Sequence, residues 1–153
     1  MIHRYYLSTR KCCQLRMIPS PICLLCNQKT IGTYVHMVYE CTAVRTFWKQ
    51  VIDIVSEIIG VHIPCLPNIV LLNDDSSLDL QNHQKRVLFA GLTAAKNIIV
   101  IRWKPPHTLF IKQWISSFHD LLISELSITS ANKAKGETLE AIQRAADLVI
   151  SFM

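Results

Sequence analysis

Four side chains share a spacing that can do chemistry: Cys23, Cys26, His36 and Cys41, arranged Cys-x2-Cys-x9-His-x4-Cys. Two thiols separated by two residues can grip one cation from a single tight turn. The nine-residue excursion lets the chain return, and an imidazole and a last thiol close a tetrahedron. Zn²⁺ suits three thiolates and one imidazole, at about 2.3 Å for sulfur and about 2.0–2.1 Å for nitrogen. Four protein ligands leave no position for a catalytic water, so the expected centre is structural. Taken alone, Cys-x2-Cys fits metal, redox chemistry or chance; the ordered His and Cys downstream turn the expectation to metal. The competing explanation is three small buried thiols and a satisfied core histidine.

Charge and thiols occupy the same segment. The chain has 153 residues and a net charge of +5. Residues 1–50 hold seven bases (Arg4, Arg10, Lys11, Arg16, Lys29, Arg45, Lys49) against the single acid Glu40, while the remainder is close to neutral. Five of the six cysteines also lie in that third. Such asymmetry suggests a polyanion-facing segment attached to a packed body; a solvated basic surface is the plain alternative. The N-terminus has no apolar signal core, and the longest apolar run, 87–101, is broken by Lys96 and Asn97. An intracellular chain with no membrane partner is therefore expected, and in a reducing compartment clustered cysteines ligate metal sooner than they form disulfides. Half the chain is hydrophobic and 18% is charged, which excludes a disordered or collagen-like protein.

These ligands need elements to position them. About twenty residues around the cluster cannot fold on apolar burial alone; metal binding can supply on the order of 10 kcal/mol. Residues 3–17 are basic and partly helix-compatible, ending before Pro19 and Pro21. From Thr42 the apolar positions Val44, Phe47/Trp48, Val51, Val55 and Ile58 recur at helical steps and stop at Gly60. Pro64 and Pro67 bracket a connector, followed by the short apolar run 69–72 and a polar stretch, 73–79. A second helix is expected from about Asp79 to Trp103, stopped by Pro105-Pro106. Thr108 can cap a third, with Ile111, Trp114/Ile115, Phe118, Leu121/Leu122 and Leu126 inward. Gly136 precedes a fourth, striped by Leu139, Ile142, Ala145/Ala146 and Val149. The fold class expected is mainly α, with a small Cys3His zinc knuckle, a short turn or hairpin, packed on three to four amphipathic helices. The basic segment with the knuckle would span 1–41 and the helical domain 42–153.

Other candidates are weaker. Asn73-Asp74-Asp75 lacks the strand context and third carboxylate of a metal-dependent polymerase and suits a solvated turn. Adjacent Cys12 and Cys13 rarely point at one cation, and Cys65 suits simple burial. His3, His62, His83, His107 and His119 are scattered without neighbouring ligands, as packing or surface residues would be. No phosphate-cradling glycine loop, Ser-His-Asp set or His-Glu-x-x-His helix occurs, so a non-catalytic protein is expected. The expected nucleic-acid surface is Arg4, Arg10, Lys11, Arg16, Lys29, Arg45 and Lys49, with Tyr34 and Tyr39 able to stack on bases. Tyr34 packing over the metal is an equal alternative. Phe47 and Trp48 are expected to join the knuckle to the first helix, with Trp103 and Trp114 as core anchors.

The residues around the ligands also carry a likeness. Ser20-Pro21-x-Cys23-x2-Cys26, Gly32-Thr33-Tyr34-x-His36-Met37, Glu40-Cys41 and Phe47-Trp48 resemble the zinc-binding segment that follows the reverse transcriptase of non-LTR (LINE-class) retrotransposons. Tyr6-Leu7-Ser8, residues 90–96 and residues 102–106 extend the resemblance over nearly the whole chain. It implies Cys23, Cys26, His36 and Cys41 as ligands of Zn²⁺, and a polyprotein tail that helps its enzyme hold template RNA or target DNA. The endonuclease and polymerase domains are not in these residues, and Met1 falls inside the family's reading frame, as in a truncated element. Three roles follow as alternatives: an RNA- or single-stranded-DNA-binding module, a zinc-stabilised module docking to a reverse transcriptase body, and a non-functional remnant. A thiol oxidoreductase using Cys23 and Cys26 is a further class, against which tight zinc retention in reducing buffer would count.

Overall fold

The computed structural model describes residues 7–26, 28–101, 109–131 and 136–153. The chain is mainly helical, in the order α1 (Thr9–Gln14), a wide π-type turn (His36–Glu40), α2 (Thr42–Ile59), α3 (Pro67–Leu72), α4 (Asn82–Ile101), α5 (Ile111–Ala131) and α6 (Gly136–Ile150). Among the described residues β-pairing is limited to one antiparallel bridge, between Ile22 and Ile31. No helix of the described residues is long and apolar enough to cross a membrane.

Periodicity explains the long helices. On α2 the buried positions are Val44, Phe47, Trp48, Val51, Ile52 and Val55, spaced three and four apart as one face of a helix requires. Gly60, at φ 74°, ends it in the left-handed conformation that glycine adopts without steric cost. Helix α6 buries Ile142, Ala145, Ala146 and Val149 of the expected stripe, with Leu139 half-buried. Helix α4 starts at Asn82 rather than near Asp79, because the Gln84 side chain accepts the Gln81 N–H at 2.9 Å and caps the first turn there. Its expected end beyond Ile101, with Trp103, Pro105-Pro106 and the Thr108 cap, lies outside the described residues, as do His3, Arg4 and His107. The apolar run 69–72 forms α3, opened by Pro67 at its first turn and closed by Asn73 at φ 56°. Half-buried Lys96 donates to the Leu71 carbonyl at 3.0 Å and Asn73 Oδ1 at 2.7 Å, tying that end to α4; burial lowers its pKa.

The helices meet at Gly91. A Cβ there would lie 2.9 Å from Val55 Cγ2 on α2, closer than real side chains approach. From the other side Trp114 Nε1 donates to the Gly91 carbonyl at 3.0 Å, and Trp114 stacks on Phe118 with centroids 5.1 Å apart. Arg86 joins α4 to α5 further along, donating to the buried Thr129 hydroxyl at 2.8 Å. In Gly91→Ala, helix propensity favours the variant by roughly 0.8–1.0 kcal/mol, but overpacking against stiff Val55 costs about 1–3 kcal/mol. Net destabilisation of about 1 kcal/mol is expected, read as a lower thermal midpoint.

Candidate metal centre

Residues 20–41 build the cluster from two local structures. The first is a short hairpin: Cys23 N–H donates to the Thr30 carbonyl and Gly32 N–H to the Pro21 carbonyl, both at 2.8 Å. Lys29, at φ 51°, reverses the chain. Just past the Ile22–Ile31 bridge the Leu25 N–H points at Cys23 Sγ, 3.4 Å away. Glycine is required at position 32, since a Cβ would fall 1.8 Å from Thr9 Oγ1. Through that contact α1 lies directly on the hairpin, and Thr9 Oγ1 donates to the Pro21 carbonyl at 3.1 Å.

The second local structure begins at Thr33, whose Oγ1 accepts the His36 N–H at 3.1 Å as a helix cap would. The chain then widens, and Cys41 N–H reaches back five residues to the His36 carbonyl at 2.8 Å. In an α-helix, residues five apart point about 140° away from each other. A turn bonded from i to i+5 returns them toward one side, which is how His36 and Cys41 come to share a site.

The result is a cluster in which Cys23 Sγ, Cys26 Sγ, a His36 ring nitrogen and Cys41 Sγ all lie within 4.8 Å of one another. Cys26 Sγ is 3.5 Å from His36 Nε2. A tetrahedron with zinc's usual bond lengths has a sulfur–nitrogen edge of about 3.6 Å, so this edge already has the right length. Cys41 is fully buried, Cys23 and His36 nearly so, and Cys26 is half-buried. All six cysteines are thiols, with no disulfide among them. Burial pushes the Cys41 thiol up to about 12, with Cys23 and Cys26 adding to the rise and the Val44 and Ala43 amides at the start of α2 opposing it. Burial, more than the neighbouring sulfurs, thus disfavours a charged Cys41 unless a cation joins it, and the residues present fit a divalent ion of tetrahedral habit. The chain defined by this geometry is a mainly helical protein with a Cys3His group able to hold a metal ion. No protein-family model matches the chain, and no solved structure matches it.

The cluster is welded to the helices. Trp48 Nε1 donates to the Val38 carbonyl inside the π turn at 2.8 Å, and Met37 Sδ accepts the Thr9 N–H at 3.3 Å. Core packing is continuous from Cys23 and Met37 through Trp48 to the buried faces of α4, α5 and α6. Cys12 sits outside the cluster, buried on α1 with its thiol directed at the Leu7 carbonyl. Cys65, half-buried, carries a pKa raised by burial, and its carbonyl accepts the Tyr39 hydroxyl at 3.0 Å. Asp74 accepts from the Ser76 N–H and hydroxyl and from Asn68, contacts that lower its pKa and close a turn.

Of the expected nucleic-acid residues, Arg10, Lys11, Arg16, Lys29, Tyr34, Arg45 and Lys49 are all exposed. Among the described residues the ion pairs are Lys85–Asp75 and Arg86–Glu125, neither of which involves these bases. Tyr34 is 54% exposed and borders a small cavity shared with Trp48 and Lys96. One supporting feature was missed from sequence, the Thr33 cap, whose signal is Thr three residues before His36; that Trp48 joins the knuckle to α2 was expected, and only its partner, the Val38 carbonyl, has no local signal.

Proposed function

We propose that this chain is a non-catalytic, zinc-stapled helical module that binds single-stranded nucleic acid, RNA ahead of DNA. It resembles the module that follows a LINE-class reverse transcriptase. Three sulfurs and one imidazole in a closed tetrahedral set favour Zn²⁺ over harder cations, and four protein ligands leave it a structural rather than catalytic role. The observation that supports nucleic-acid binding is the charge of the segment that carries the cluster: Arg10, Lys11, Arg16, Lys29, Arg45 and Lys49 are exposed, with only Glu40 as an acid in that third of the chain. Such a surface contacts phosphates and releases counterions, with little preference for sequence. An intracellular setting accords with six reduced thiols.

The test is equilibrium binding of zinc-loaded protein to oligouridylate and oligothymidylate across a salt series. Affinity is expected to fall steeply with salt. Arg10→Glu/Lys11→Glu/Arg16→Glu should flatten the slope of log affinity against log salt by about 2, at roughly 0.7 per phosphate on a single strand. Absence of binding by the loaded wild type at low salt overturns the proposal.

A second role is favoured by one observation. Leu15, Met17, Leu24, Ile31, Val35 and Leu72 are large apolar side chains about half exposed or more. Such residues suit docking to a polymerase body. In that case the charge reversal leaves partner binding intact.

A further inference from the structure

Beside the metal cluster, the first turns of α2 face the connector leading to α3 across a groove of 540 Å³. Arg45, Lys49 and Asp53 line it from the helix. They are four residues apart and so share one face. Opposite them stand Tyr39 from the π turn and His62 and Pro64 from the connector. The groove is built rather than incidental. The Tyr39 hydroxyl donates to the Cys65 carbonyl at 3.0 Å, pinning the connector to the π turn, and the Ile63 N–H donates to Ser56 Oγ at 3.0 Å, pinning it to α2. Its floor is apolar, with Ile52 and Ile63 almost fully buried.

The charges are ordered along the groove. Two cations lie at the end nearer the metal cluster, and one helical turn beyond Lys49 stands Asp53, exposed and without an ion pair among the described residues. A plain polyanion track would not carry a carboxylate there, because it repels the next phosphate. A carboxylate accepts from hydroxyl or amino groups, as a sugar or base supplies. The volume falls within the range of small-ligand sites. We infer that this groove holds one nucleotide unit of single-stranded RNA, its phosphodiester between Arg45 and Lys49, its ribose hydroxyl on Asp53, and its base against Tyr39 and Pro64. The inference rests on the nucleic-acid reading above and deepens it: the π turn that carries His36 also carries a wall of the groove.

The experiment uses the zinc-loaded full chain with oligouridylate and oligodeoxyuridylate of equal length. Arg45→Gln/Lys49→Gln is expected to weaken oligouridylate binding about tenfold and to flatten the salt slope by about 1.4, with zinc content and helicity unchanged. Wild type should prefer oligouridylate over oligodeoxyuridylate by about tenfold, and Asp53→Ala should bring that ratio close to one. Wild type carrying an oligouridylate with 4-thiouridine should cross-link to peptides containing Tyr39 or His62–Pro64, which keeps the test valid if a variant misfolds. If wild type binds neither oligonucleotide, the module reading fails and this site with it. If wild type binds while the double variant keeps its affinity and slope, or cross-links fall only outside these peptides, the groove assignment is wrong and the module reading stands. Equal affinity of wild type for the two sugars overturns the Asp53–ribose contact.

Discussion

Replacing Cys41 with Ser is expected to abolish metal binding and unfold residues 22–41, and chelation of the wild type should do the same. Wild type purified from zinc-containing medium should carry about one equivalent, and Cys41→Ser and His36→Ala close to none. The effect is large because Cys41 does three things at once. Its sulfur is one of four cluster donors, its N–H closes the π turn on the His36 carbonyl, and its fully buried side chain heads α2. A hydroxyl in place of the thiol keeps the backbone bond and loses the soft donor. Structural zinc contributes on the order of 10 kcal/mol to small domains, and loss of a metal is among the few mechanisms that cost more than about 4 kcal/mol. The measurement is metal content by mass spectrometry beside amide exchange of residues 22–41. A Cys41→Ser protein that retains stoichiometric zinc and an ordered hairpin would remove these four residues as the ligand set.

Trp48→Ala should cost about 3–5 kcal/mol of stability and weaken zinc retention as well. Trp48 is fully buried, so truncation opens a cavity between α2 and the π turn. It also removes the donor to the Val38 carbonyl, and an orphaned buried acceptor costs a further 1–3 kcal/mol, roughly. Trp114 provides the control. It too is fully buried and donates to a helix carbonyl, that of Gly91, but its partners are α4 and Phe118. Trp114→Ala should lower the denaturation midpoint comparably while leaving zinc affinity, measured by competition with a chromophoric chelator, nearly unchanged. Equal loss of zinc affinity in both variants would show that the metal responds to global stability and not to the Trp48–Val38 bond.

Much of the helical body was legible because burial imposes a period. The stripes on α2, α5 and α6 are spaced as a helix face demands, and most of their buried residues are those the spacing singles out; Ile52 and Thr129 are buried besides, while Ile58, Ile111, Leu121, Leu126 and Leu139 lie at the half-buried margins. Boundaries were less legible, since they depend on single side chains: the Gln84 cap starts α4 at Asn82, three residues past the expected place. The apolar run 69–72 was too short for its period to distinguish helix from strand. Its helical form follows from Pro67 at one end and Lys96, some two dozen residues on, at the other. The connector's part in the groove was hidden for a similar reason. His62 and Pro64 have no partner of interest nearby in sequence, and the Tyr39–Cys65 bond across the fold, with the Ile63–Ser56 bond to α2, aligns them with Arg45 and Lys49.

The linear order of residues alone determined which four side chains can converge, because ligand type and loop length restrict what can reach a common point. It also determined that the body is helical and that positive charge shares the segment of chain that carries the cluster. Tertiary structure decided how the convergence is achieved. An imidazole and a thiol five residues apart face opposite ways on an ordinary helix, and the widened turn that reconciles them is held by Trp48 from α2 and braced by Thr9 from α1. Those contacts join residues 10 and 28 positions apart, a separation over which local propensity carries no information.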